Sequence, residues 1–322
     1  MIKHTNDKFF SEVLILQYRP LHCNFAQSTF MQGIMPCFLL QNYKVCDSII
    51  YYENRNFKWW NWCFWRKKLW YKSNFRKRSD ISLWRKKWRL CGSKWRASAK
   101  NYKIYTQNPK YFANFFDFFT DYGIIIKKLQ KFDYLKDALK FSAGVRILKQ
   151  QPLEALICFI ISANNNISRI KKSVKFICDK FGKKIADNLH AFPTLEELSK
   201  ITKEDFIKAG VGYRADYLVR TIQMLQDGFN LENLRNIPTE EAKAKLLKLA
   251  GVGPKVADCV LLFGLGHKEV FPVDTWIAKV YNQYFEKETN RVKMRKNLVQ
   301  TFKQLSGIAQ QYLFYYKREN KI

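Results

Sequence analysis

From about Phe132 onward the hydrophobic and polar positions read as helices, and strand signals are sparse. Residues 153–161 are apolar on every side apart from Glu154, the pattern of a helix buried all round. Pro193-Thr194-Leu195-Glu196-Glu197 opens another helix with a Thr-x-x-Glu capping box. A third helix starts at Pro238-Thr239-Glu240-Glu241 and runs to Ala250, with acids at the positive end of its dipole. Ile277, Val280 and Tyr281 mark one more after Asp274. No internal repeat or low-complexity linker interrupts this half. The expectation is a mainly α domain over residues 119–322.

The chain changes character near Asp117. Eight of its nine Trp residues lie between Trp59 and Trp95. Residues 55–116 hold 18 Lys or Arg against one acid, Asp80. Runs such as Trp84-Arg85-Lys86-Lys87-Trp88-Arg89 follow neither the helical nor the strand period. Three readings stand side by side. Interleaved aromatic and basic residues can stack on bases and track a phosphate backbone. The segment can equally be a strand-rich subdomain with an unusual surface. It can also be coding sequence read out of frame: TGG-AGA-AAA gives Trp-Arg-Lys, while one nucleotide later it begins Gly-Glu. Residues 1–118 are therefore set apart as an N-terminal region of undefined fold.

A chain of 322 residues suffices for one large domain or two ordinary ones. Its net charge of +30 calls for a polyanionic partner, and nucleic acid is the first candidate. Residues 55–116 alone supply 18 − 1 = 17 of that charge, so the function is not rested on it. No apolar stretch approaches the ~20 residues of a membrane span, and the start lacks a signal-peptide layout. No membrane partner or secretion is expected; the expected place is the cytoplasm with the nucleoid in a prokaryote, or the nucleus in a eukaryote. Eight scattered cysteines without a Cys-x-x-Cys pair fit reduced thiols. None follows Cys259, which leaves no C-terminal iron–sulfur ligands.

The segment richest in chemistry is Leu249-Ala250-Gly251-Val252-Gly253-Pro254-Lys255-Val256-Ala257-Asp258. A helix ends at Ala250, Gly251-Val252-Gly253 turns tightly around an apolar plug, and Pro254 sits where a first helical residue tolerates a missing N–H. Gly251 and Gly253 permit left-handed or closely approached backbone, so amides can meet a phosphate. Such a hairpin grips a DNA backbone without reading bases. Lys255 falls in the first turn of the second helix, where desolvation and the helix dipole favour the neutral amine a nucleophile needs. A solvated, phosphate-contacting lysine is the plainer alternative. Nineteen residues on, Pro272-Val273-Asp274 precedes a helix that Asp274 suits as an N-cap. A helix over residues 255–265 is ~15 Å long. Residues 267–273, extended, span up to ~23 Å. The chain can thus return and set Asp274 beside Lys255.

At this point the sequence resembles the helix-hairpin-helix DNA glycosylases, and within them the 8-oxoguanine DNA glycosylase/AP lyases. The resemblance runs from about Tyr122 to the C-terminus. It is carried by Ser162-Ala163-Asn164-Asn165-Asn166-Ile167-Ser168-Arg169-Ile170, Gly210-Val211-Gly212-Tyr213-Arg214-Ala215, residues 251–258, Pro272-Val273-Asp274, and Gly307-Ile308-Ala309-Gln310-Gln311-Tyr312-Leu313-Phe314. It implies a helix-hairpin-helix glycosylase fold, preceded in the family by an antiparallel α+β domain that is degenerate here. It implies that Lys255 attacks C1′ of the damaged nucleoside and forms a Schiff base, with β-elimination of the 3′ phosphate, and that Asp274 stabilises charge on the sugar. Asn164 then fills the space opposite the estranged cytosine and Arg169 reads that base. Tyr213 wedges into the stack with Arg214 beside it, and Gly251 and Gly253 hold the backbone. Phe314 stacks on the flipped base, Gln310 bonds its edge, and Cys259 lines the base pocket. The plainer alternatives are helix capping for residues 164–166 and core packing for Tyr213, Phe314 and Cys259. No cofactor or metal is implied; the implied partner of a monomeric enzyme is double-stranded DNA with an oxidised purine or abasic site.

Two departures stand out. The family's Gly-Gln-x-Phe-Arg-Trp lesion-sensing segment is not found in residues 1–118, and Trp276 stands where some members place a histidine. Competing readings are a monofunctional alkylbase glycosylase, which usually lacks the lysine, a non-catalytic helix-hairpin-helix DNA-binding protein, and an inactive product with a damaged N-terminal domain.

Overall fold

The computed structural model describes residues 2–4, 13–17, 101–105, 109–142, 144–186 and 189–320. The Trp/Lys/Arg-rich run between Trp59 and Trp95 lies outside the described residues. The chain divides into two units near Pro109. What is described of the first is a three-stranded antiparallel sheet of Ile2–His4, Val13–Gln17 and Asn101–Tyr105, with Val13–Gln17 in the middle. Its register pairs Lys3 with Ile15 and Ile15 with Lys103.

The second unit is mainly helical. It starts before residue 118, because the residues that follow helix Pro109–Phe115 are tied into it. The Lys149 amide donates to the Phe115 carbonyl at 2.9 Å. Asp117, fully buried and left-handed at φ 53°, accepts from Thr120 Oγ1 at 2.9 Å and Tyr122 Oη at 3.0 Å. Lys149 Nζ at 3.1 Å and Lys268 Nζ at 3.6 Å neutralise its charge. A buried carboxylate without such partners would be severely destabilising. Burial beside Asp117 pushes the Tyr122 phenol well above its ordinary range, so it remains a donor.

Helix Pro152–Ser162 runs through the core, and all its residues but Leu153 are buried. Pro152 opens it at the position that needs no N–H donor. It packs on residues 260–265, where Gly264 lets two backbones close in. A Cβ on that glycine would lie 3.2 Å from Pro152 Cα and from Ala155 Cβ. The Gln150 amide donates to the Phe263 carbonyl at 2.8 Å, and Phe159 stacks on Phe263 at 5.6 Å. At ~1.5–3 kcal/mol per fully buried large apolar side chain, this pairing is a main source of stability.

The capping box at Thr194 forms with Glu197, and a second, of Thr202 with Asp205, follows it. The helix expected to reach Ala250 is Thr239–Leu246, continued by turns. Lys184–Ala186 and Leu189–His190 make a small antiparallel pair, so the unit is not wholly helical. Among the described residues no helix is long and apolar enough to cross a membrane.

Candidate active site and DNA-facing elements

The hairpin joins Thr239–Leu246 to Pro254–Cys259. Gly251 is left-handed at φ 74°, where a side chain is strained. It also touches Tyr217, and a Cβ on Gly251 would meet the Tyr217 Cβ at 2.6 Å. Val252 is the buried plug. Gly253 is exposed, extended at φ −88° and ψ 177°, and a Cβ there meets nothing within 4 Å. No side chain caps this helix start, whereas Asp121, Asn166, Thr194, Thr202, Asp274 and Asn290 each cap their own. A helix start reached through a glycine lets backbone amides approach an anion closely.

The second helix continues over Val260–Leu265 as a π-helix and ends at left-handed Gly266. The chain then returns through residues 267–273 to Asp274. Asp274 caps Thr275–Tyr284, its Oδ1 accepting from the Ile277 amide at 2.9 Å. Lys255 Nζ lies 5.2 Å from the centre of the Phe159 ring, over its face. Cys259, one turn after Lys255, is buried, and burial pushes its thiol up to about 11. A hydrogen bond with Lys255 and that ammonium's charge oppose the rise, while the Asp274 and Asp258 carboxylates add to it. The Lys255 amine and the Asp274 carboxylate thus act on one buried thiol.

The three asparagines divide their labour. Asn165 Nδ2 donates to the Ile161 carbonyl at 3.0 Å and finishes the buried helix. Asn166 caps Ile167–Phe181 by accepting from the Arg169 amide at 2.9 Å. Asn164 does neither: it is exposed and left-handed at φ 47°. Asparagine adopts that backbone at little cost, and it turns the chain here. What holds it is Arg214. Expected among the DNA contacts, Arg214 is instead buried and turned inward. Its guanidinium donates to the Ala163 carbonyl, to Asn164 O at 2.8 Å and to Val211 O at 3.0 Å. With those donors committed, it shapes the Asn164 loop. Arg169 is exposed in the first turn of its helix, the end the dipole makes unfavourable for a cation.

Tyr213 starts helix Arg214–Gln226 with its side chain 58% exposed, too much for a core aromatic. Gln310 and Phe314 lie one turn apart on Ser306–Asn320. Gln310 is buried and accepts from Gln311 Nε2 at 2.6 Å; Phe314 is partly buried with the Arg318 guanidinium 5.4 Å from its ring centre. The same helix is seated on the hairpin's second helix. A Cβ on Gly307 would fall 2.3 Å from a Leu262 methyl, and the Gly307 amide donates to Lys268 O at 2.9 Å.

One cluster escaped the sequence reading. Asp258 is buried with Lys243 Nζ 2.9 Å from Oδ1 and Arg295 Nε donating to Oδ2 at 2.7 Å. Arg295 also reaches Glu240 at 3.1 Å. Burial raises the Asp258 carboxyl and lowers the Lys243 ammonium from their ordinary values, while the two contacting cations pull the carboxyl back down. The network pins both hairpin helices to Arg291–Phe302. Among the described residues no three His, Cys, Asp or Glu side chains gather as a metal site requires.

Residues 157–304 match the family model of the HhH-GPD superfamily base excision DNA repair protein. The N-glycosylase/DNA lyase OGG1 of Arabidopsis thaliana is 40% identical over 188 residues, 53% of this chain and 51% of the plant protein. A probable N-glycosylase/DNA lyase of Methanothermobacter thermautotrophicus is 31% identical over 210 residues, 58% of this chain and 67% of the archaeal protein. The chain spans about half the length of the plant relative and of a yeast N-glycosylase/DNA lyase. The crystal structure of the Clostridium acetobutylicum 8-oxoguanine glycosylase/lyase, solved with dsDNA containing cytosine opposite 8-oxoG, superposes with a TM-score of 0.67 at 40% identity. It covers 70% of this chain and 81% of that one. On the hairpin, on the matched family model and on these relatives, the chain belongs to the 8-oxoguanine glycosylase/lyase family of the HhH-GPD superfamily.

Proposed function

We propose that this chain is a bifunctional DNA glycosylase/AP lyase that excises 8-oxoguanine from duplex DNA. The observation that carries the proposal is Lys255 in the first turn behind the Gly-Val-Gly hairpin, hydrogen-bonded to the buried Cys259, with Asp274 heading the helix to which the chain returns. The helix start behind Gly253 holds a backbone phosphate. Asn164, Arg169 and Tyr213 engage the strand and base opposite the lesion, and the extruded base enters beside Cys259, Gln310 and Phe314. Unstacking a base costs a few kcal/mol, which the wedge and the stacking ring offset.

Lys255 Nζ attacks C1′, and the C1′–N9 bond breaks with its electron pair leaving on the base, which takes up a proton. The Asp274 carboxylate stabilises the positive charge that builds on the sugar. Loss of a proton from nitrogen and opening of the sugar ring give an imine between Lys255 and C1′. Removal of a C2′ proton then sends the electron pair through C2′–C3′ and expels the 3′ phosphate. Water hydrolyses the imine and returns the free amine. Such an enzyme works where the genome is, at a nucleoid or in a nucleus.

Borohydride reduces the imine to a stable amine. It is expected to trap a protein–DNA adduct on 8-oxoguanine and abasic-site duplexes, and Lys255→Gln to remove that adduct at an unchanged melting temperature. Trapping at the wild-type level in Lys255→Gln refutes the assignment. Tight duplex binding by the wild type with neither excision nor trapping would make the chain a binding module.

A further inference from the structure

Tyr213, Tyr217 and Thr221 follow one another at four-residue spacing along Arg214–Gln226 and so share a face of that helix. Each makes a different contact. Thr221 is fully buried and its Oγ1 donates to the Ala250 carbonyl at 2.7 Å, which fixes the helix in register with the hairpin. Tyr217 lies against Gly251 so closely that a Cβ there would be 2.6 Å from the Tyr217 Cβ and 2.8 Å from its Cγ. The ring of Tyr217, 37% exposed as a residue, stands edge-to-face to the Tyr213 ring, centres 6.0 Å apart and planes at 87°. Tyr213 also has the Arg214 guanidinium over its ring, 4.4 Å from the centre.

A phenol at an exposed helix start has side-chain freedom that a wedge has to lose before it can hold two bases apart. We infer that Tyr217 is the positioning residue that braces the Tyr213 wedge against the hairpin turn, so that insertion into the base stack and grip on the phosphate are set together. This rests on the DNA reading above. Tyr217 itself touches no reacting atom. Its work is done through the ring it supports and the turn it lies on. The same contact gives Gly251 a second reason to be glycine: a left-handed asparagine would satisfy the backbone but not the space beside Tyr217.

The test uses full-length protein and a duplex carrying a tetrahydrofuran abasic analogue, with 2-aminopurine next to the base opposite it. Wedging unstacks 2-aminopurine and raises its fluorescence. Tyr217→Leu keeps apolar bulk on Gly251 and loses the ring edge; Tyr217→Phe keeps both. The Leu variant is expected to lose most of the fluorescence rise at saturating protein and to bind the duplex about threefold to tenfold more weakly, at a near wild-type melting temperature. The Phe variant is expected to behave as wild type. In a Tyr213→Ala background Tyr217→Leu is expected to change little further, because the bracing then has nothing to brace. A full fluorescence rise in Tyr217→Leu, or losses that add independently to those of Tyr213→Ala, overturns the inference alone. If wild-type protein binds the duplex without any rise, or fails to bind it, the DNA reading falls and takes the inference with it.

Discussion

Asp274 does two things at once, and substitutions separate them. Its Oδ1 caps Thr275–Tyr284 by accepting from the Ile277 amide at 2.9 Å, and its charge reaches the thiol that also bonds Lys255. The cap requires an acceptor of that length at an extended backbone position, here φ −102° and ψ −168°; the chemistry requires a negative charge. Asparagine and serine cap about as well as aspartate, so Asp274→Asn and Asp274→Ser are expected to stay within a few tenths of a kcal/mol of wild-type stability. Alanine loses the cap at about 1 kcal/mol, a melting-temperature fall of about 2–4 °C for a unit of this size. All three remove the charge, and loss of one preorganised electrostatic stabiliser costs about 10²–10³ in rate. The assay pairs single-turnover excision from an 8-oxoguanine duplex, normalised to bound protein, with thermal melting of each variant. Excision should fall by the same factor in Asn, Ser and Ala, while only Ala melts earlier. If Asn and Ser excise within about threefold of wild type and only Ala is impaired, the carboxylate is a helix cap and nothing more, and the mechanism above is wrong.

Three substitutions in and beside the hairpin separate packing, phosphate contact and charge. Gly251→Ala adds left-handed strain of about 1–2 kcal/mol to overpacking of about 1–3 kcal/mol against Tyr217, so urea denaturation should give a loss of at least about 2 kcal/mol. Gly253→Ala meets no neighbour and should leave stability within about 0.5 kcal/mol, yet weaken duplex binding where a phosphate approaches; unchanged affinity would contradict the phosphate role. Asp258→Asn leaves Lys243 buried without its counter-charge and Arg295 with Glu240 alone, and a loss of about 3–5 kcal/mol is expected by the same measurement; a loss under about 1 kcal/mol would mean water already screens the cluster.

What was legible in the sequence was local. The capping box at Thr194, the buried helix Pro152–Ser162, the Gly-Val-Gly turn and the cap at Asp274 each rest on rules acting within one or two turns. Contour length bounds how far residues 267–273 reach, so the sequence permits Asp274 to lie near Lys255, and the π-helix over Val260–Leu265 does not alter that bound. The misses were long-range. Arg214 sits in a motif with an exposed tyrosine, and only the fold reveals that its fork closes on carbonyls some fifty residues earlier in the chain. The Asp258 cluster joins residues 243, 258 and 295, which no period relates. Asp117 likewise needs Lys149 and Lys268 from distant turns, and the tie that places residues 110–118 with the helical unit was invisible for that reason.

The residues proposed for DNA share a property that the merely structural ones lack. Asn165, Asn166, Arg214 and Thr221 satisfy their polar atoms inside the protein, and each improves the element it belongs to. Asn164 is exposed on a left-handed turn, and Arg169 puts a cation at the wrong end of a helix dipole. Tyr213 exposes most of an aromatic ring, and Gly253 leaves a helix start uncapped. The misplaced cation and the exposed ring each cost stability when judged on the free protein. A duplex would reverse both costs: its phosphates attract the cation, and unstacked bases cover the ring. Departures from local rules that a single kind of partner corrects together carry more weight than either one alone.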